Sequence, residues 1–411
     1  MKKKDEIKEE PYMSFNRDSK FLTIGTDKGF LLYQTDPFKG PLERKFEGGI
    51  AAVEMSNSSN YLALIPKGQT PKNNNQVIIW DDQNNKELGQ LKFNNQVISV
   101  KCSKNFLFVI CLTRIYMYNI NTLKFLDSVT TLENPNGLFA ISGEKGKGYL
   151  NYAYPHNIAE TGIIIINHEL KKAFAFPEFI NGASKMEMNY DGSLLITANQ
   201  IATKFRVRSC FDGTILQKFY RHHQSTLVYS ISLDQESHFM AFRTARETIY
   251  LFSVEPSINK LKKQGYIKEN KEEKKDEIKL EEDLNVFNSG GIPITDVQPE
   301  EEDKNEEKEE EIKEEKKEDK NEVVISDNSK NEYSSIGNIF GSKSVIEFKL
   351  EAKKSIIRFI KSDLLAVATS DYKLYLYQIE IALDKKKNDD KVKAKLIEKR
   401  NLLTGQKLKL K

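Results

Sequence analysis

Short apolar-rich runs bounded by polar turn residues recur along this chain: FLLYQ at 30–34, VIIWD at 77–81, IYMYNI at 115–120, IIII at 163–166, KFRVR at 204–208, IYLFSV at 249–254 and KLYLYQI at 373–379. They are rich in β-branched and aromatic residues and too short for buried helices, so they read as strands. Successive runs start 38 to 48 residues apart, and the last step returns to a similar value once a charged segment is subtracted. Each run is the third strand of a repeated unit of strand, turn, strand, turn, strand. The stretches SFNRDSKFLTIGTDKGFLLY, EMNYDGSLLITANQIATKFRV and SLDQESHFMAFRTARETIYLF follow one template. A period of about 40 to 45 residues with four short strands per unit is that of a β-propeller blade. The pattern therefore predicts an all-β chain folded as a seven-bladed propeller. Trp80-Asp81 is its one Trp-Asp dipeptide.

Two segments break the pattern and divide the chain. Residues 1–9 read as a charged N-terminal tail, 10–255 as blades one to five and most of blade six, and 256–343 as an acidic, low-complexity, disordered insert. Residues 344–384 read as the last strand of blade six and blade seven, and 385–411 as a basic, charged tail with Val392, Leu396 and Leu403 loosely on one helical face. A fourth strand for the last blade is sought either near the N-terminus or within 393–402. The insert holds 16 basic and 25 acidic residues, a net of −9 in a chain of net charge +3, so the remainder carries +12. A near-neutral total thus hides a basic body.

Hydrophobic content of 39% is ample for a core. Cys102, Cys111 and Cys210 are isolated, which argues for a reducing compartment and against disulfides or a zinc site. The opening MKKKDEIKEE lacks the apolar core of a signal peptide, and no run approaches the ~20 apolar residues of a membrane span. A cytoplasmic protein with at most peripheral membrane contact is expected.

Residues 197–221, TANQIATKFRVRSCFDGTILQKFYR, gather hydroxyls, an amide and arginines around one strand-turn-strand unit. Guanidinium groups bind phosphate oxygens bidentately and hydroxyls complete the shell, so this mix suits an anion pocket. Arginines alternating along a solvated strand face give the same pattern. Catalysis has little support: His156, His168, His222, His223 and His238 form no metal-ligand or nucleophile spacing with the cysteines, and no cofactor or metal is expected. Nucleic acid is not expected either, because the basic residues are not interleaved with exposed-looking aromatics.

SFNRDSKFLTIGTDKGFLLYQTDPF, ENPNGLFAIS at 133–142, and MNYDGSLLITANQIATKFRVRSCFDGTILQKFYRHHQSTLVYSISLD resemble, in this order, the PROPPIN family of WIPI-type propellers. The resemblance implies recognition of phosphatidylinositol 3-phosphate and phosphatidylinositol 3,5-bisphosphate on phagophore, endosomal or vacuolar membranes. It also implies a monomer in solution and, as a partner, the large autophagic lipid-transfer protein. The family hallmark Phe-Arg-Arg-Gly falls on Phe219, Tyr220, Arg221 and His222, so one arginine and the glycine are replaced. By the same resemblance a first pocket maps to Thr197, Asn199, Thr203 and Arg206, with Ala202 at a glycine position and Tyr220 at the lost arginine. Lys204 or Arg208 could compensate there. The second pocket maps to Arg221, His222, Thr244, Thr248 and Tyr250, with Arg243 and Arg246 near, and is expected to be the stronger. The alternative is a protein-interaction scaffold with decayed lipid sites.

The insert lies between the third and fourth strands of blade six, and the resemblance implies that this loop approaches the membrane. Tyr333, Ile336, Ile339 and Phe340 lie at roughly helical spacing within NEYSSIGNIFGSKS. Three readings stay open: plain linker, membrane insertion, or a short motif for a ubiquitin-like autophagy modifier, resembled by Glu332-Tyr333-Ser334-Ser335-Ile336.

Overall fold

The structure, a computed structural model, describes residues 11–57, 59–67, 75–143, 150–156, 161–221, 224–267, 294–296, 344–351, 354–384 and 389–409. Among them, seven sheets follow one another along the chain, each built on four antiparallel strands in sequence order, with a fifth strand added to the fourth sheet. They run from strand Met13–Phe15 to Phe38–Lys45, Ile50–Met55 to Lys86–Lys92, Val97–Cys102 to Phe125–Thr130, Ala140–Ile141 to Lys172–Pro177, Ala183–Met188 to Ile215–Tyr220, Val228–Leu233 to Ser344–Lys349, and Ser355–Lys361 to Asp389–Asn401. All seven apolar runs of the sequence are third strands. Most are buried on both faces, which explains their near-continuous hydrophobicity, whereas Arg114–Asn119 alternates buried with more exposed residues.

Seven hydrophobic clusters hold the ring, one between each consecutive pair of sheets. The cluster that closes it joins Met13, Ile24 and Tyr33 of the first sheet to Ile360, Leu374 and Leu402 at the other end of the chain. This is a seven-bladed β-propeller.

Blades one, five and six share a local device that explains their common template. Asn16, Asn189 and Asp234 each accept, through the side-chain oxygen, the backbone N–H five residues on, at 2.9, 2.9 and 2.7 Å. Three residues after each, Ser19, Gly192 and Ser237 adopt positive φ of 62°, 72° and 60° and close the turn on the backbone carbonyl. Asn and Asp favour such turns because their side chains mimic a backbone acceptor.

The structure corrects two boundaries. The expected basic tail is instead the outer strand of blade seven: Asp389–Asn401 pairs along Lys373–Asp384. In it Ala394 and Leu396 turn inward while Lys393 and Lys395 are exposed, the two-residue period of a half-buried strand. The Tyr33 hydroxyl then donates to the Leu402 carbonyl, tying this end of the chain to blade one.

Described structure also continues past residue 255, where the sequence reading began the insert. A helix spans Glu255–Lys263, with Pro256 in its first turn, Glu255 at its start and Lys260, Lys262 and Lys263 in its last turn. That order suits the helix dipole. The helix buries Leu261, bonds Ser257 Oγ to Gln217 Oε1 at 2.9 Å, and leads to Tyr266, whose ring stacks on Phe211. It is therefore docked on the outer edge of blade five. Further along, Ile294–Asp296 adds a parallel fifth strand to Lys172–Pro177 of blade four. Tyr333, Ile336, Ile339 and Phe340 lie outside the described residues.

Candidate functional site

Strand pairing gathers the first set of candidate residues on one face of blade five. Thr197 stands opposite Arg206, Arg206 opposite Lys218, and Lys204 opposite Tyr220. Period-two alternation puts Thr197, Asn199, Lys204, Arg206, Arg208 and Tyr220 on the face toward blade four, while Ile196, Phe205 and Val207 pack toward blade six. Asn199 closes the following turn: its Oδ1 accepts from Thr203 N at 2.9 Å, and its Nδ2 donates to Thr203 Oγ1 at 3.0 Å.

The arginines of this face are not solvated. Arg206 and Arg208 are buried, and their guanidinium carbons lie 4.5 Å over the Phe179 ring and 4.0 Å over the Phe176 ring, both from blade four. Between them sits Glu178, whose side chain is 0% exposed. Its Oε1 accepts from Thr197 Oγ1 at 2.8 Å and from Arg206 Nη1 at 3.3 Å, and its Oε2 accepts from Arg208 Nε at 2.9 Å. Sequence reasoning missed this carboxylate. Its one signal was a lone acidic residue in the apolar stretch AFAFPEFI.

Arg221 is held differently. The residue is 4% exposed, and its guanidinium donates from Nε to Ala202 O at 2.7 Å and from Nη2 to Gln224 O at 2.8 Å. Nη1 is buried with no hydrogen-bond acceptor, and no carboxylate pairs with this arginine among the described residues. The charge lies 5.8 Å from the Tyr250 ring centroid. Burial raises the Tyr250 phenol above its ordinary pKa and Glu347 adds to that, while Arg221 acts against both through its charge and as a hydrogen-bond partner of the phenol.

Arg221 thus bridges blades five and six at one rim. The loop that follows it runs between their turns, with Thr226 N donating to Ile201 O at 3.1 Å and Ala245 N to Leu227 O at 2.9 Å. Thr226 Oγ1 is a second buried polar atom without a partner.

Thr244 and Thr248 are buried close by in sequence, with their hydroxyls directed at the carbonyls of Thr248 and Arg246 at 3.4 and 3.3 Å. Arg243 is structural, donating to Ser355 Oγ and Leu350 O at 2.9 Å each, whereas Arg246 is exposed. His222 and His223 lie outside the described residues. Two large apolar side chains stand out on these loops: Leu227 is 59% exposed, and Ile180, two residues after Glu178, is 47% exposed. No helix among the described residues is long and apolar enough to cross a membrane.

Known proteins agree with this architecture. Autophagy-related protein 18 of Aspergillus oryzae is 29% identical over 264 residues, covering 59% of this chain and 62% of that protein. The chain thus spans about three fifths of the length of such relatives. Kluyveromyces lactis Hsv2 superposes with a TM-score of 0.63 at 15% identity, covering 95% of this chain and 99% of that one. KlAtg21, solved with the coiled coil of AgAtg16, gives 0.61 at 13% identity, covering 96% and 99%. The PROPPIN family model matches residues 11–266, more than half of the sequence, and the chain therefore belongs to the PROPPIN family.

Proposed function

We propose that this protein is a peripheral membrane adaptor that binds phosphatidylinositol 3-phosphate and phosphatidylinositol 3,5-bisphosphate, chiefly through Arg221, and recruits autophagy proteins to the membrane. The observation that carries this reading is the state of Arg221. Buried charge is costly unless it is paired, and this guanidinium is answered by two backbone carbonyls and the Tyr250 side chain rather than by a carboxylate. A phosphate monoester supplies what is missing, with two negative charges and acceptors for Nη1 and the Thr226 hydroxyl. Leu227 supports a membrane source for that phosphate, since an exposed leucine in the same loop gains by entering the lipid interface. The +12 net charge outside 256–343 adds attraction to an anionic leaflet.

The autophagy role rests on the relatives named autophagy-related protein 18. A protein partner is supported by the coiled coil bound to KlAtg21, and the autophagic lipid-transfer protein is our proposal for this chain. Flotation with vesicles of phosphatidylinositol, its 3-phosphate or its 3,5-bisphosphate tests the lipid reading. The wild type should float with the phosphorylated lipids only, and Arg221→Ala, with its fold checked by thermal melting, should lose at least tenfold in binding. Equal binding to unphosphorylated vesicles, or retention by a folded Arg221→Ala, would overturn this reading in favour of a protein scaffold.

A further inference from the structure

We infer that Glu178 is a built-in anion that occupies the first pocket and holds it closed to phosphate monoesters. This inference extends the proposed lipid recognition to a second site and to the residue that controls it. The donors around Glu178 are those a phosphate pocket needs: two guanidiniums and a threonine hydroxyl within 2.8–3.3 Å of the carboxylate oxygens. Phe176 and Phe179 lie against the guanidiniums and keep them from turning to solvent. The carboxylate itself is fixed from behind. The Glu178 backbone N–H donates to Thr161 O at 3.2 Å, and Thr161 Oγ1 donates to Glu178 O at 2.7 Å, so blade four presents the side chain to blade five from a pinned strand end.

A carboxylate and a phosphate compete for the same planar, charge-assisted bonds. An incoming phosphate must displace an oxygen pair that is already desolvated and tethered, and a tethered ligand acts at high effective concentration. Glu178 offsets part of the positive charge of Arg206 and Arg208, and glutamine at 178 would remove that offset. On this account the asymmetry between the pockets has two sources. Tyr220 supplies no charge, and Glu178 offsets part of the charge that Arg206 and Arg208 supply.

Glu178→Gln in an Arg221→Ala background isolates the first pocket. Binding to vesicles containing phosphatidylinositol 3-phosphate should recover at least fivefold over Arg221→Ala alone, and adding Arg206→Ala should remove that gain. Because Glu178→Gln leaves two buried guanidiniums facing an amide, the double replacement Glu178→Gln with Arg208→Gln, which removes one charge of each sign, provides a second, charge-balanced route to the same gain. Inorganic phosphate, read as a rise in melting temperature without vesicles, separates a general phosphate pocket from one that needs the lipid headgroup. That measurement, made on Glu178→Gln with Arg221 intact, keeps its meaning even if Arg221 proves unimportant for lipid. If neither replacement increases vesicle binding or phosphate stabilisation, or if the gain survives Arg206→Ala, Glu178 is a structural counter-ion and the inference fails.

Discussion

His168 shows how burial alone sets a residue's chemistry in this ring. Its imidazole packs 5.4 Å from the Tyr152 ring, and burial lowers its pKa from 6.5 to about 4. The folded protein therefore holds it neutral while the unfolded chain takes up a proton. Stability from this source is complete above pH 6.5 and is lost as pH falls toward 4, amounting to about 3 kcal/mol in all. The urea midpoint should drop between pH 7 and pH 4, and in His168→Leu that part of the slope should flatten. An unchanged slope in the variant would remove His168 as its cause. At this scale the sequence made the basic and hydroxyl residues legible, because Thr197, Asn199, Arg206 and Arg208 fall two apart on paired strands. Glu178 was not legible as their partner, since it comes from the neighbouring blade 19 residues before Thr197 and nothing local announces that approach.

Among the elements, the third strands were readable because burial on both faces demands unbroken apolar runs, and the shared turns because Asn or Asp must stand where a backbone N–H needs an acceptor. The helix Glu255–Lys263 was not, since its polar sequence continues into the charged insert without a visible break. One leucine decides its place: Leu261 joins the cluster between blades five and six. Leu261→Ala should cost about 2 to 4 kcal/mol locally. Amide exchange over 255–263 should accelerate while blade three stays protected. Equal protection in the variant would mean that the helix is held by its hydrogen bonds to Gln217 and Leu216 instead.

The ring as a whole is tied across its middle by charge as well as by blade contacts. Arg17 of blade one reaches Glu187 of blade five at 2.7 Å, and Arg358 of blade seven donates to the same carboxylate oxygen at 2.9 Å. Arg17 also donates to Asn189 O at 2.7 Å, and Arg358 to Arg17 O at 3.1 Å. Two largely buried guanidiniums sharing one carboxylate suffer when it is neutralised, so Glu187→Gln should lose about 2 to 4 kcal/mol by denaturant titration. A loss under about 0.5 kcal/mol would show that blade packing alone sustains the ring.

Hydrophobic periodicity by itself determined the strand class, the number of repeats and the seven-bladed plan, since each blade must bury its own strands and that requirement is written locally. Resemblance added where lipid-binding residues would fall. Only the tertiary structure decided how the ring closes, with the alternating Lys and apolar residues of Asp389–Asn401 completing blade seven. It alone also decided the state of the two arginine sites. The charge of a guanidinium is a property of its sequence, but whether that charge is already answered depends on what a neighbouring blade brings within about 3 Å. For Arg208 that is Glu178 at 2.9 Å, and for Arg221 it is backbone carbonyls at 2.7 and 2.8 Å and the Tyr250 side chain.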